Sequence, residues 1–178
     1  MRFTDVVATL ESGEVVAYPT EGVWGLGCDP FDESAVKKVY ELKRRPENKS
    51  VILLVKDWEQ AEALIDPAVS IDREKIKATW PGPVTWVVPA SNQVPDFLRA
   101  ADGTIALRMP SYVFLQKLLE AYGKPLVSTS ANLSSEPTAR TEAELRQKFP
   151  AIAVCSGECE GRQSPSEIYH AISGERLR

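Results

Sequence analysis

The chain has 178 residues, 43% of them apolar and 26% charged, and its net charge is −4. These values are typical of one globular domain and exclude a disordered or collagen-like chain. No run of residues approaches the roughly 18 apolar positions of a membrane-spanning helix, and the N-terminus lacks the apolar core of a signal peptide. We therefore expect a single domain over residues 1–178 that lies in the cytoplasm and has no membrane segment.

The first elements are a helix and a strand. Apolar residues from Phe3 to Leu10 follow helical spacing, and Gly13 provides a stop. Residues 14–18 read as a strand, and a glycine-punctuated stretch over 22–27 follows it. The N-terminal segment therefore predicts a helix and a strand, with no element assigned to the glycine-punctuated stretch.

The middle of the chain contains two sequence patterns typical of helix N-termini. Asp32 has the position of an N-cap for a helix that Pro46 ends. An uninterrupted apolar run over 51–55 predicts a strand buried on both faces. Asp57 and Gln60 form a capping-box pattern, which predicts a further helix.

The second half continues the alternation of strands and helices. Strands are predicted at 84–88, 104–109, 126–127, 151–155 and 167–170, and helices over 111–122 and from 141 to about 149. Several connections are too short to cross between parallel neighbours. We therefore predict an α/β fold with a mixed, twisted sheet flanked by helices.

The cysteine pattern favours a reducing compartment. Cys28, Cys155 and Cys159 are odd in number, and no second pair completes a zinc site with Cys155 and Cys159. We expect free cysteines and no structural metal. A Ser-His-Asp triad would depend on His170, the sole histidine. Neither a P-loop nor a G-x-G-x-x-G helix start is present.

The basic residues are concentrated in one segment. Seven of the 21 Lys and Arg residues lie between Lys37 and Lys56. Lys43 closes the predicted helix and Arg45 lies in the turn beyond it, with Lys49 close behind, so we expect the first two side chains to leave the surface together. An ammonium beside a guanidinium suits a polyphosphate. The alternative is a solvated basic helix end, which the helix dipole favours.

Hydroxyl groups follow a predicted buried strand. The run Ser128-Thr129-Ser130-Ala131-Asn132 comes directly after residues 126–127. Ligands of open α/β sheets bind beyond the carboxyl ends of strands, and small hydroxyls can bond phosphate or carboxylate there. The alternative is an ST-turn that only joins strand to loop.

Arg108 interrupts an apolar strand. Its guanidinium needs a partner if it is covered, and either a substrate carboxylate or an internal Asp or Glu would serve. The segment 18–22 is a further candidate, because a strand end there places the Thr20 hydroxyl and the Glu21 carboxylate beside flexible backbone.

Taken in order, these motifs resemble those of the YrdC/TsaC family. The series is Pro-Thr-Glu at 19–21, Lys-x-Arg at 43–45, Trp-Pro-Gly-Pro-x-Thr at 80–85, Arg-x-Pro at 108–110 and Ser-x-Asn at 130–132. The likeness covers about residues 15–166 and fits the short, single-domain form. It implies a YrdC-like fold and the synthesis of threonylcarbamoyl-AMP and pyrophosphate from L-threonine, bicarbonate and ATP, for the t6A modification of tRNA.

The resemblance also implies residue roles. Lys43 and Arg45 would act in catalysis by contacting the ATP phosphates. The ATP site would hold Lys43, Arg45, Thr104, Ser130, Asn132 and Arg140, and the threonine site would hold Thr20, Arg108, Ser128 and Ser166. ATP is expected as a substrate that brings Mg²⁺ with it, and no carboxylate cage for a metal is expected. The product would pass to a tRNA-modifying complex that contains TsaD, and weak RNA binding is left open. The rival interpretation is a binding module for structured RNA, against which stand the net negative charge and the lack of an aromatic stacking series near Lys43.

Overall fold

The computed structural model describes residues 2–46, 51–162 and 164–178. Lys49, part of the predicted basic segment, lies outside these ranges. Six helices are described: α1 Phe3–Glu11, α2 Glu33–Lys43, α3 Trp58–Leu64, α4 Arg73–Ala78, α5 Val113–Tyr122 and α6 Glu142–Lys148. A short 3-10 helix spans Asp96–Leu98. None of these helices has the length and apolar character needed to cross a membrane.

The described strands form one sheet. They are β1 Val16–Pro19, β2 Trp24–Gly27, β3 Ile52–Leu54, β4 Val84–Pro89, β5 Thr104–Arg108, β6 Leu126–Ser130, β7 Ala153–Val154 and β8 Glu167–His170. Their order across the sheet is β7-β1-β2-β6-β3-β5-β4-β8. The pairs β1–β7, β3–β5 and β4–β8 are parallel and the other neighbours are antiparallel. The predicted mixed sheet is confirmed.

Helices cover both faces of the sheet. On one face, α1 and α5 bury residues such as Leu10 and Leu118 against Tyr18 and Leu126. On the other face a larger cluster contains Val39 of α2 with residues of the remaining helices. Apolar side chains project from both faces of the sheet and pack against helices, so the strands are buried on two sides, as the run at 51–55 predicted.

Local signals set the helix ends. Asp32 accepts hydrogen bonds from the backbone N–H groups of Ser34 and Ala35, at 2.9 and 3.2 Å. Thr141 and Glu144 form the predicted reciprocal capping box. Gly123, at a φ of 76°, ends α5 in the left-handed region that favours glycine. The predicted caps are therefore confirmed at these positions.

Two segments that the sequence did not predict as strands belong to the sheet. The glycine-rich segment forms β2, because Tyr18 of β1 lies across it and a Cβ at Gly27 would meet the Val127 carbonyl oxygen at 2.2 Å. The hydroxyl run begins inside β6, which continues through Ser130 and pairs with β2 and β3. Small side chains in these strands therefore mark close packing and a polar sheet face rather than loops.

Candidate functional site

A cavity of about 680 Å³ opens on the polar part of the sheet. The strands β2 and β6 form part of its wall, and the segment just before β8 forms another part. Most of the residues predicted for the site line this cavity: Thr20, Arg45, Arg108, Ser128, Ser130, Arg140 and Ser166. Lys43, Thr104 and Asn132 are not among its lining residues.

The cavity is strongly basic in an acidic chain. Five arginines line it: Arg45, Arg108, Arg140, Arg162 and Arg178. Among the described lining residues, Glu21 is the sole carboxylate. Burial is the first cause that lowers the pKa of Arg178, and the neighbouring Arg108 adds to the effect. Arginines stay protonated in proteins, so this arrangement suits an anionic ligand with several charges.

The basic segment was interpreted either as a polyphosphate site or as a solvated helix end, and different residues of the segment fit each interpretation. Lys37 and Lys38 of α2 pair with Glu33 and Glu14 at 2.9 and 2.7 Å, and lie on a half-exposed helix face. Arg45 instead lines the cavity. The backbone turns at Arg44, whose φ of 49° is left-handed, and this turn sends Arg45 away from the helix surface.

The prediction that the Lys43 and Arg45 side chains leave the surface together is wrong for Lys43. This residue is 3% exposed. Its ammonium donates to the Ser130 carbonyl oxygen and, at 2.9 Å each, to the carbonyl oxygen and Oδ1 of Asn132. An ammonium has three N–H donors, and all three are engaged inside the protein. Burial, followed by the charge of Arg45, lowers the Lys43 pKa to about 8.

Asn132 completes this arrangement, which we call the Lys43 junction (Lys43, Ser130 and Asn132). Its Oδ1 also accepts from the Ser130 hydroxyl at 2.7 Å. Its Nδ2 donates to the carbonyl oxygens of Leu133 and Glu136, at 3.0 Å each. The Lys-x-Arg and Ser-x-Asn motifs are therefore joined by hydrogen bonds that tie the end of α2 to the end of β6.

Arg45 and the hydroxyls of β6 form the polar wall. The Arg45 Nη1 donates to Thr129 Oγ1 at 3.1 Å. Ser128, Thr129 and Ser130 all line the cavity, so the run predicted to bind an anion does face it. Burial lowers the pKa of Arg45, because its guanidinium is partly desolvated at the cavity wall.

Arg108 has an internal carboxylate partner. Its Nη2 donates to Glu21 Oε1, and its Nε donates to the Gly82 carbonyl oxygen at 3.2 Å. The Glu21 side chain is buried, with 5% exposed, and the Arg108 side chain is partly buried, with 13% exposed. The alternative of an internal acidic partner is therefore the observed one, and the ion pair lies on the cavity wall.

The remaining predicted residues are held by neighbours. The Thr20 hydroxyl donates to the Val23 carbonyl oxygen at 2.6 Å and closes the turn before β2. Thr104 lies at the start of β5, where its hydroxyl donates to Asp102 at 2.6 Å, and this keeps it out of the cavity lining. The buried Ser166 hydroxyl contacts Thr85 Oγ1 at 3.0 Å.

Arg162 and Arg178 were not predicted. Arg178 donates from Nε to the Ser166 carbonyl oxygen and from Nη2 to Ser166 Oγ, both at 3.1 Å. The Arg162 N–H donates to the Glu21 carbonyl oxygen at 2.7 Å, and a Cβ at Gly22 would lie 2.5 Å from the Arg162 carbonyl oxygen. Glycine at 22 was the one local signal that another chain segment packs closely there.

Metal-binding groups are not assembled in the described part of the chain. No cluster of three or more His, Cys, Asp or Glu side chains occurs there. Cys28, Cys155 and Cys159 are free thiols, the first two of them buried. His170 lies in β8, and its Nδ1 accepts from the Ser173 N–H at 3.4 Å.

Fold and site together define a class of α/β protein with an arginine-lined anion cavity on a mixed sheet. A family model described as Telomere recombination, which groups Sua5, YciO and YrdC, matches residues 8–178. The chain belongs to the Sua5/YciO/YrdC family.

Relatives in sequence are enzymes by name. A protein of Yersinia pestis (strain Pestoides F) named threonylcarbamoyl-AMP synthase is 46% identical over 177 residues, which cover 98% of this chain and 93% of the relative. A protein of the same name from Yersinia pseudotuberculosis serotype O:1b (strain IP 31758) gives the same values.

Solved structures agree on the fold. A doubly substituted P. abyssi Sua5 superposes with a TM-score of 0.87 at 30% identity, over 95% of this chain and 52% of that one. P. abyssi Sua5 in complex with L-threonine gives 0.83 at 31% identity, over 94% and 50%. The chain thus spans about half the length of Sua5. E. coli YciO gives 0.80 at 23% identity, over 98% and 89%, and supports the fold alone.

Proposed function

We propose that this chain is an L-threonylcarbamoyladenylate synthase, a nucleotidyltransferase that forms threonylcarbamoyl-AMP and pyrophosphate from L-threonine, bicarbonate and ATP. The observation that carries the proposal is the cavity of about 680 Å³ lined by five arginines and the β6 hydroxyls. The names of the relatives at 46% identity support the same reaction.

The polyphosphate of ATP would lie along arginines of the cavity wall that form no ion pair with Glu21. Arg45, Arg140 and Arg178 line the cavity together with Ser130. Guanidinium groups bind phosphate oxygens in pairs, and the hydroxyls of β6 add donors at the same wall. We assign no direct contact with ATP to Lys43, Asn132 or Thr104, because their polar groups are engaged elsewhere.

The threonine carboxylate would bind Arg108, beside Thr20 and Ser128. Sua5, a family member with this fold, has been solved in complex with L-threonine. Within the described residues no hydrogen bond is made by Arg108 Nη1, so that donor is available to a ligand even while Nη2 holds Glu21. A carboxylate bound there would be partly desolvated, which strengthens the interaction.

The reaction places electrostatic demands on the protein. The amine of threonine takes up CO₂ as a carbamate, the carbamate oxygen attacks the α-phosphorus of ATP, and pyrophosphate leaves. Because a carbamate decomposes readily in water, the cavity must hold both reactants together and limit solvent. The arginines would stabilise the charge that develops on the phosphates, and Mg²⁺ would arrive with ATP as part of the substrate.

The product would pass to a tRNA-modifying complex that contains TsaD. A cavity of this size and a chain of net charge −4 leave little basic surface for tRNA. With labelled threonine, ATP, bicarbonate and unmodified tRNA, the purified chain should label a small nucleotide-linked product. Label should enter tRNA only after the partner complex is added.

The reaction itself is tested by pyrophosphate release. Release should require threonine and bicarbonate together, and omission of either should reduce it to the background level. Release at the same rate without threonine would contradict the assignment.

A further inference from the structure

Glu21 is anomalous in a cavity made for anions. It is the one carboxylate among the described lining residues, against five arginines. A negative side chain there repels phosphates, so it weakens ATP binding unless it serves another purpose. A carboxylate at such a position suits a ligand that carries a positive charge as well as a negative one.

The Glu21 side chain has an unused acceptor. Oε1 accepts from Arg108, whereas Oε2 is buried and has no hydrogen-bond partner within the described residues. A buried polar atom left unpaired costs about 1–3 kcal/mol, and more when it is charged. Among the described residues no cation pairs with it, and the Lys43 ammonium is engaged by three other oxygens.

The backbone holds Glu21 in place. The Arg162 N–H donates to the Glu21 carbonyl oxygen at 2.7 Å. Glycine at position 22 allows the close approach, because a Cβ there would lie 2.5 Å from the Arg162 carbonyl oxygen. The main chain that carries the Glu21 carboxylate is therefore held in place at the cavity wall by the segment of Arg162.

The two partners of the ion pair offer opposite charges to one small ligand. Arg108 has Nη1 without a hydrogen bond in the described part of the chain, and Glu21 has Oε2. An α-amino acid carries a carboxylate and an ammonium on one carbon. The ion pair and a bound zwitterion together carry no net charge, which lowers the cost of enclosing them.

From this geometry we infer that Glu21 binds the α-ammonium of the amino-acid substrate while Arg108 binds its carboxylate. The inference rests on the proposed function and adds a residue that selects amino acids over hydroxy acids. The competing interpretation is that Glu21 only holds Arg108 in position.

A pair of ligands separates these interpretations. (R)-3-hydroxybutanoate keeps the carboxylate and hydroxyl of threonine and lacks its amine. We would titrate both ligands by NMR into the wild-type protein and into Glu21→Gln, whose amide oxygen can still accept from Arg108. Glu160→Gln, a change at an exposed carboxylate on the neighbouring segment, is the matched control and should alter neither affinity.

In Glu21→Gln the Kd for threonine should rise about 10- to 100-fold, the range for a hydrogen bond to a charged group, with less than about a threefold change for hydroxybutanoate. An equal loss for both ligands would overturn the inference and leave the proposed function standing. Wild-type protein that binds both ligands equally would also overturn it, and this comparison needs no variant to fold. If the wild type binds no threonine even with ATP present, the proposed function and the inference fail together.

Discussion

Replacing Lys43 by methionine tests whether this residue contacts phosphate or holds the site together. Methionine keeps most of the aliphatic volume and removes the ammonium, which donates to the carbonyl oxygens of Ser130 and Asn132 and to Asn132 Oδ1. The Oδ1 atom retains the Ser130 hydroxyl, and the Ser130 carbonyl oxygen retains the Asn132 N–H at 3.0 Å, so the Asn132 carbonyl oxygen is the acceptor left without its donor. An unpaired buried acceptor costs about 1–3 kcal/mol, partly offset because no charge is buried, and we expect a loss of about 1–2 kcal/mol in the free energy of unfolding.

For a chain of this size, that loss corresponds to a fall in Tm of about 2–8 °C. Urea denaturation would measure the stability, and pyrophosphate release would measure the activity of the same preparation. Lys37→Met is the control, because Lys37 lies on the same helix with a side chain that is 50% exposed. If the Lys43→Met protein were as stable as wild type and had a raised KM for ATP, the positioning role would be refuted. Direct contact between Lys43 and the phosphates would then be the better interpretation.

Three further predictions follow from the same contacts. Arg45→Ala should lower kcat/KM by about 30- to 1,000-fold with little loss of stability. Arg44→Ala, a change at the exposed neighbouring position, is the control and should leave kcat/KM unchanged. Near-normal turnover in Arg45→Ala would show that Arg45 does not act in the site. Arg108→Ala should raise the KM for threonine far more than the KM for ATP, and equal effects on both would make the ion pair structural. The pKa of Lys43 is lowered to about 8 in the folded chain, so the unfolded chain binds that proton more tightly. Stability rises with pH where the unfolded chain binds more protons, and the stability of wild type relative to Lys43→Met should therefore increase from pH 7.5 to 9.5. Denaturation of both proteins at the two pH values checks the sign, and an unchanged difference would contradict the shift.

The fold was predictable where local chemistry and global packing agree. At the caps Asp32 and Thr141 and at the apolar run 51–55, the local sequence pattern predicts the same element that the packed structure contains. The strand β2 and the C-terminal half of β6 were not predicted, because glycine has a low strand propensity and serine favours turns. Their pairing depends on long-range contacts, such as Tyr18 lying across Gly27, that no local pattern contains.

The candidate site divides in the same way. Residue types that suit an anion predicted Arg45 and Ser130, and both line the cavity. The same reasoning misplaced Lys43, because a motif does not reveal whether a charged side chain points to solvent or to three buried acceptors. Arg178 could not be found from the sequence, since only the pairing of the C-terminal residues with β8 brings it to Ser166.

The most direct measurement follows the product itself. Purified protein would be incubated with ATP, L-threonine and ¹³C-bicarbonate, and the nucleotide products would be analysed by mass spectrometry. We predict an AMP adduct that contains one threonine and the labelled carbon, formed in step with pyrophosphate. An adduct of AMP and threonine without the labelled carbon, or turnover of ATP with no adduct at all, would contradict threonylcarbamoyl-AMP synthesis.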